Sequence, residues 1–230
     1  MEITYTIEEN NKTIKQILKE RLFISDRLLT FLKKNSLILY NNDKITNLNI
    51  LARLNSTVTV DLNFEEDNNN IVPIKMDLKI IYEDEALLII DKPAGIPVHP
   101  SILHYTNSLS NGVKYYFDSI NLKKKIRPVN RLDRNTSGIV IFAKNQYIQE
   151  CLIHQMQTKE FKKTGRTHQI RVHLSYIGHP LIGDTLYGNN SKYISRQALH
   201  AYKVEFIHPI TNKLTQFTSD LPKDFVSFII

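Results

Sequence analysis

The seven glycines of this 230-residue chain all lie between Gly95 and Gly188, and its first proline is Pro73. Sharp turns and close backbone approaches are therefore concentrated mid-chain, because glycine enters the positive-φ region without steric cost. The densest stretch is Asp91-Lys92-Pro93-Ala94-Gly95-Ile96-Pro97-Val98-His99-Pro100, with four prolines and glycines in ten residues. Such a run is a rigid irregular loop, neither helix nor central strand. Upstream, Asp67-Asn68-Asn69-Asn70 is polar and aperiodic. It divides the chain into an expected N-terminal module (1–66), a linker (67–76) and a larger second domain (77–230).

Periodicity supplies the elements. In the module, apolar residues at 14, 17 and 18 and at 28, 29 and 32 have helical spacing, the second run capped by Ser25 or Asp26. Short strands are expected at 37–40 and 57–62, with a polar turn at 41–43. In the second domain, runs at 78–82 and 86–90 form a hairpin, 137–143 a buried strand and 198–206 a late strand. Helices are expected at 108–116, 146–159 and 169–177, the last stopped by Gly178 and Pro180.

Charge narrows the partners. Lys and Arg number 30 against 23 Asp and Glu, a net +7. Residues 12–53 alone hold nine basic and three acidic side chains, and 71–230 hold 21 and 13. Two basic blocks suit a polyanion, whose condensed counterions are released on binding; they equally suit a merely solubilising surface. No run of 18 or more apolar residues is present, so no membrane span is expected. The N-terminus has no basic-then-apolar signal pattern. A single cysteine, Cys151, forms no internal disulfide and fits a reducing compartment, so a cytoplasmic location is expected.

Chemistry concentrates in two places. In Arg127-Pro128-Val129-Asn130-Arg131-Leu132-Asp133-Arg134-Asn135-Thr136-Ser137-Gly138, Asp133 is the only aspartate between 119 and 183 and has arginines at 127, 131 and 134. Nearby cations favour the carboxylate, a form suited to act as nucleophile or base when partly desolvated. The alternative is that Asp133 merely ties a surface loop to its arginines. Thr136 and Ser137 are expected to bond the loop backbone. In Thr164-Gly165-Arg166-Thr167-His168-Gln169-Ile170-Arg171-Val172-His173, Thr167 is placed to cap the helix and Arg166 to make a forked pair with a carboxylate. His168 and His173, five apart, are poorly spaced for one metal, and no metal site is expected.

Lys92-Pro93-x-Gly95, Arg131-Leu132-Asp133-x-x-Thr136-Ser137-Gly138, Gly165-Arg166-Thr167-His168-Gln169-Ile170-Arg171-Val172-His173 and Gly178-His179-Pro180-Leu181-Ile182-Gly183-Asp184-x-Leu186-Tyr187-Gly188 occur in this order. From about residue 77 onward the chain closely resembles the RluA-type pseudouridine synthases. The two helices and hairpin in front, with Lys15, Lys33 and Lys34 on the helices, resemble an S-four-type RNA-binding module. The resemblance implies an α+β fold: a mixed, mainly antiparallel central sheet with flanking helices, preceded by a small α+β module. It implies isomerisation of uridine to pseudouridine in RNA, most naturally large-subunit ribosomal RNA, by a monomer without metal or cofactor. The family's catalytic aspartate falls on Asp133. Arg131 would hold the flipped nucleotide's backbone or fill its vacated place, and Arg166 would pair with Asp133. Contacts to RNA are implied at Lys92, His99, Arg127, Arg134 and His168, and in the module at Lys15, Lys33 and Lys34. Asp184 and Tyr187 read as structural.

Two departures stand out. The family's histidine before the aspartate motif is Asn130 here. After Lys163, where the family runs on for several dozen residues carrying an active-site tyrosine and several strands, Thr164-Gly165-Arg166 follows at once. Either the sequence closes over an omitted segment or the protein carries a true deletion. In the second case a catalytically silent RNA-binding protein results, and the strand at 139–142 is expected to lack partners.

Overall fold

The computed structural model describes residues 1–158, 160–163 and 168–229. The N-terminal region is a four-stranded antiparallel sheet under two helices: β1 (Glu2–Thr6), α1 (Ile14–Glu20), α2 (Asp26–Lys34), β2 (Ile38–Tyr40), β3 (Asp43–Lys44) and β4 (Thr57–Asp61), in the order β1-β4-β2-β3. Thr13 opens α1 with a capping box, its hydroxyl taking the Gln16 N–H while the Gln16 amide oxygen takes its own. Ser25 Oγ accepts from Leu28 N at the start of α2. Ile14, Ile17 and Leu18 from one helix and Leu28, Leu29 and Leu32 from the other are buried with Val58 and Val60 of β4. Lys15, Lys33 and Lys34, off those faces, are exposed.

The rest of the chain contributes β5 (Lys79–Glu83), β6 (Leu87–Lys92), α3 (Leu109–Ser119), β7 (Arg127–Pro128), β8 (Ser137–Ala143), α4 (Gln146–Thr158), β9 (Lys162–Lys163), α5 (Gln169–Tyr176), β10 (His200–Ala201), β11 (Lys203–Ile207), β12 (Leu214–Thr218) and α6 (Lys223–Ile229). The central sheet runs β10-β8-β6-β5, with β7 also on β8; β10 is parallel to β8 and the other pairs are antiparallel. A second sheet is β12-β11-β9.

The pleat sorts side chains of β6 and β8 by parity, as a sheet covered on both faces requires. Leu88, Ile90, Val140 and Phe142 pack with Leu109, Val113 and Phe117 of α3 and with Val98. Leu87, Ile89, Ile139, Ile141 and Ala143 pack on the opposite side with Ile148 and Leu152 of α4 and with Phe206. That second core is continuous with the buried residues of α1, α2 and β4. Polar contacts cross the same seam: Ser25 Oγ donates to Glu150 Oε1 at 2.6 Å, and Phe23 stacks on His154 at 4.4 Å. The stretch 62–78 forms no helix or strand. It lies against the body, with Glu66 N on Lys123 O and Ile74 N on Asn111 O.

Two expectations need correcting. The 139–142 strand does not lack partners: β6 flanks one side, while β7 and β10 share the other. The late strand splits, His200–Ala201 joining β8 and Lys203–Ile207 joining the second sheet. α5 starts at Gln169, as expected; Thr167, its expected cap, lies outside the described residues. Gly138 permits the β8–β10 contact, because at φ +110° a Cβ there would meet Ala201 O at 2.5 Å. Among the described residues no helix is long and apolar enough to cross a membrane.

Candidate active site

Asp133 lies in the loop between β7 and β8, and the protein spends many polar groups on fixing that loop. Asn130, 4% exposed, precedes it; its amide donates to Ile139 O and accepts from Ile141 N, bracketing β8 as a strand would. An amide carries donor and acceptor on one side chain, which this bridge requires. Thr136 N bonds Asp133 O and closes the turn. The Thr136 and Ser137 hydroxyls do not bond the loop backbone as expected. They meet the side chains of Gln197 and His200, at 3.1 and 2.9 Å, and so tie the loop to the C-terminal part of the chain.

The Pro/Gly loop after β6 clamps the other side. Gly95 N bonds Arg134 O, and Arg134 Nε donates to Gly95 O. Lys92 completes the clamp. Its Nζ donates to Pro93 O, Ile96 O and Arg134 O at 2.7, 2.9 and 3.2 Å. Lys92 is 0% exposed. Burial, aided by the positive charge of Arg196 and opposed by Asp133, pulls its ammonium down to about 7. It was expected to touch RNA and cannot, because all three of its donors face carbonyls inside the fold.

The carboxylate itself is 6% exposed as a side chain. None of the three flanking arginines is paired with it. Arg127 makes a two-pronged bond to Glu66, at 2.5 and 2.6 Å, so the RNA contact expected there is replaced by an internal ion pair. Arg131 is exposed. It lies near enough to His99 that its charge, after burial, helps hold the His99 imidazole below its usual range. Among the described residues, the cation on Asp133 is Arg171 of α5: Nη1 reaches Asp133 Oδ2 at 2.9 Å, while Nε and Nη2 grip both oxygens of Asp184 at 2.7 Å. Asp184 is 0% exposed and also accepts from Leu186 N and Tyr187 N. Arg171 holds its carboxyl below the usual carboxylate range. The Arg171 guanidinium sits 5.1 Å from the Tyr187 ring centroid.

His168, expected at RNA, is instead beside the carboxylate, Nε2 standing 3.3 Å from Asp133 Oδ1. Its side chain is 38% exposed, and Nδ1 lies 3.1 Å from the Tyr187 hydroxyl. Arg166, expected to pair with Asp133, lies outside the described residues. The residue that sequence reasoning passed over is Arg171. Both arginines belong to one motif, and the buried partner Asp184, thirteen residues on, is what singles out Arg171.

The family profile described as RNA pseudouridylate synthase matches residues 86–164, a span that contains Asp133 and ends at the Lys163–Thr164 junction. An uncharacterised RNA pseudouridine synthase of Bacillus subtilis, YhcT, is 30% identical, over 97% of this chain and 94% of the relative. The chain belongs to the RluA-type RNA pseudouridine synthases. It is thus an RNA-modifying isomerase by family. Ribosomal large subunit pseudouridine synthase D of Neisseria meningitidis is 27% identical, over 86% of this synthase and 72% of the relative. The solved structure of human RNA pseudouridylate synthase domain containing 4 shares the fold, with a TM-score of 0.53 and 16% identity, covering 64% of this synthase and 90% of that chain. The alignment with the Bacillus relative is 287 positions long against 230 residues here, so at least 57 positions have no counterpart in this synthase.

Proposed function

We propose that this synthase converts uridine to pseudouridine in large-subunit ribosomal RNA, with Asp133 as the catalytic carboxylate. The observation that carries the reading is the state of Asp133: nearly enclosed, in a loop pinned from four sides, with the Arg171 guanidinium on one oxygen. A carboxylate so held is fixed in aim and is compensated by a cation, as a nucleophile or base in a desolvated pocket needs to be. Asp133 cuts the bond between uracil N1 and the ribose anomeric carbon, either by attack at that carbon or by removing the 2′ proton. The freed uracil turns, C5 bonds to the anomeric carbon, the proton on C5 leaves and N1 takes one up. Atoms balance without a cofactor. The base must leave its stack first, at a cost of a few kcal/mol, and exposed Arg131, two residues before Asp133 in the same loop, is the group to hold the opened backbone. Residues 1–66 serve as an S-four-like RNA-binding module, 67–76 as the connection and 77–230 as the catalytic domain. Exposed Lys15, Lys33, Lys34 and Arg134 and half-buried His99 supply RNA contacts. The enzyme works as a cytoplasmic monomer.

The alignment positions without a counterpart favour a second reading, a silent RNA-binding protein on the same scaffold. Cyanoethylation mass labelling of ribosomal RNA after incubation separates the two, since it marks pseudouridine and not uridine. Labelled product supports the synthase; tight RNA binding without product supports the silent form. Intact mass of the purified protein tests the junction: 26.8 kDa fits a true deletion, and a larger value an omitted segment.

A further inference from the structure

Arg171 accounts for one oxygen of Asp133. The other, Oδ1, is buried and has no hydrogen-bond partner among the described residues. A buried carboxylate oxygen left unpaired costs about 1–3 kcal/mol or more, so such an atom calls for an explanation. The group facing it is the His168 imidazole, Nε2 at 3.3 Å. That is about 0.4 Å past the range of a charge-assisted hydrogen bond, so the pair is in contact but not bonded here. Contacts of this kind are commonly long in a free enzyme and tighten when substrate closes the site.

The same ring is gripped from its far side, by the Tyr187 hydroxyl 3.1 Å from Nδ1 and by the Tyr187 ring edge-on at 5.7 Å. A neutral imidazole carries one proton. If it sat on Nδ1, the Nε2 lone pair would face the carboxylate. With the proton on Nε2, that nitrogen donates to Asp133 and Nδ1 accepts the Tyr187 hydroxyl proton.

We infer that His168 is a positioning residue for Asp133, holding Oδ1 through its Nε2–H while Tyr187 fixes the ring in the tautomer that presents that proton. This rests on the synthase reading of Asp133. With Arg171 on Oδ2 and His168 on Oδ1 the carboxylate cannot swing, and Tyr187 steadies both partners, its ring against the Arg171 guanidinium and its hydroxyl on His168.

The test compares His168→Ala, His168→Gln and Tyr187→Phe in single-turnover tritium release from RNA labelled at uridine C5, with RNA affinity measured alongside. The expected result is a fall of about 10²-fold in the rate at saturating RNA for His168→Ala, the scale of losing one aimed donor. RNA affinity stays within about twofold. Gln, which restores an N–H, recovers most of the rate, and Tyr187→Phe loses less than Ala. An unchanged saturating rate in His168→Ala, or a loss confined to RNA affinity, overturns the inference and returns His168 to a plain RNA contact. A readout independent of turnover is the 15N spectrum of the histidine rings in the RNA-free protein. It should show His168 protonated at Nε2, with that resonance moved by Asp133→Asn and the Nδ1 resonance by Tyr187→Phe. Protonation at Nδ1, or no response to Asp133→Asn, also overturns it. If wild type releases no tritium from any RNA, the synthase reading fails, while the ring spectrum still decides the contact.

Discussion

Arg171 lies between two carboxylates, gripping both oxygens of Asp184 at 2.7 Å and reaching Asp133 with its third nitrogen at 2.9 Å. Asp184 at 0% exposure is the anchor, and Asp133 is the group being aimed. Replacing Arg171 with Met leaves two sheltered carboxylates without their cation. The expected loss is about 3–5 kcal/mol of stability, read from urea unfolding, with turnover abolished. Arg171→Lys keeps the charge but not the fork and falls between. Acid adds a second signature. The Asp184 carboxyl is held below 3.8 by Arg171, so its contribution to stability is complete above that value and disappears as pH falls through its lowered one. Arg171→Met should flatten that acid limb; a variant as stable as wild type with the same acid limb contradicts the account.

Lys92 should show the opposite sign. Its ammonium titrates near 7 in the fold against 10.5 in an open chain. Between those values the unfolded chain holds a proton that the native protein has released, so this group makes stability rise with pH across that window. Unfolding midpoints of wild type and Lys92→Met, measured from pH 6 to about 10.5, should therefore diverge, with wild type gaining relative to the variant. Parallel curves would show that Lys92 is not a buried cation.

Ser25 does two jobs with one hydroxyl, accepting from Leu28 N at the start of α2 and donating to Glu150 on α4. Ser25→Ala should cost about 1–2 kcal/mol, the upper part of the range for a lost cap, because the interregional bond goes with it. Glu150→Gln should cost less, since Ser25 keeps an acceptor and the cap survives. A cost for Ser25→Ala of only a few tenths of a kcal/mol in urea unfolding would mean that the seam contact contributes nothing.

The exposed lysines make a salt prediction. Changing Lys15, Lys33 and Lys34 together to Ala should weaken binding to ribosomal RNA uniformly across sequences and lower the slope of log affinity against log salt by about 2–3. Arg131→Ala should behave differently, cutting the saturating rate by more than it cuts affinity. An unchanged salt slope in the triple variant would remove the N-terminal region from the RNA interface.

Much of this was legible in the sequence because it is periodic. The apolar spacing at 14, 17 and 18 and at 28, 29 and 32 gave both N-terminal helices, with Ser25, one of the two candidate caps, in place, and the runs at 86–90 and 137–143 became the two central strands. What escaped was short or distant. β1 spans five residues and pairs with β4, Glu2 opposite Asp61, while β7 and β10 are two residues each. No period is visible over two residues, so β7 and β10 could not be foreseen as partners of β8. In the Asp133 loop, Asp133 was legible from its singularity between 119 and 183, but its partner was not. Residue type does not tell Arg166 from Arg171; the difference comes from a buried aspartate at 184. Lys92 misled for a similar reason. A lysine reads as surface until carbonyls of its own loop and of Arg134, 42 residues further on, are seen to converge on it.

Whether Asp133 cuts and remakes the glycosidic bond is decided by the fate of a label on uridine C5. Ribosomal RNA carrying tritium at uridine C5 loses that label to water when C5 becomes the carbon bonded to ribose. Tritium release by the wild-type protein should match pseudouridine formed, with none above background from Asp133→Asn of unchanged fold and RNA affinity. Release by Asp133→Asn at a rate near wild type would contradict that role of Asp133.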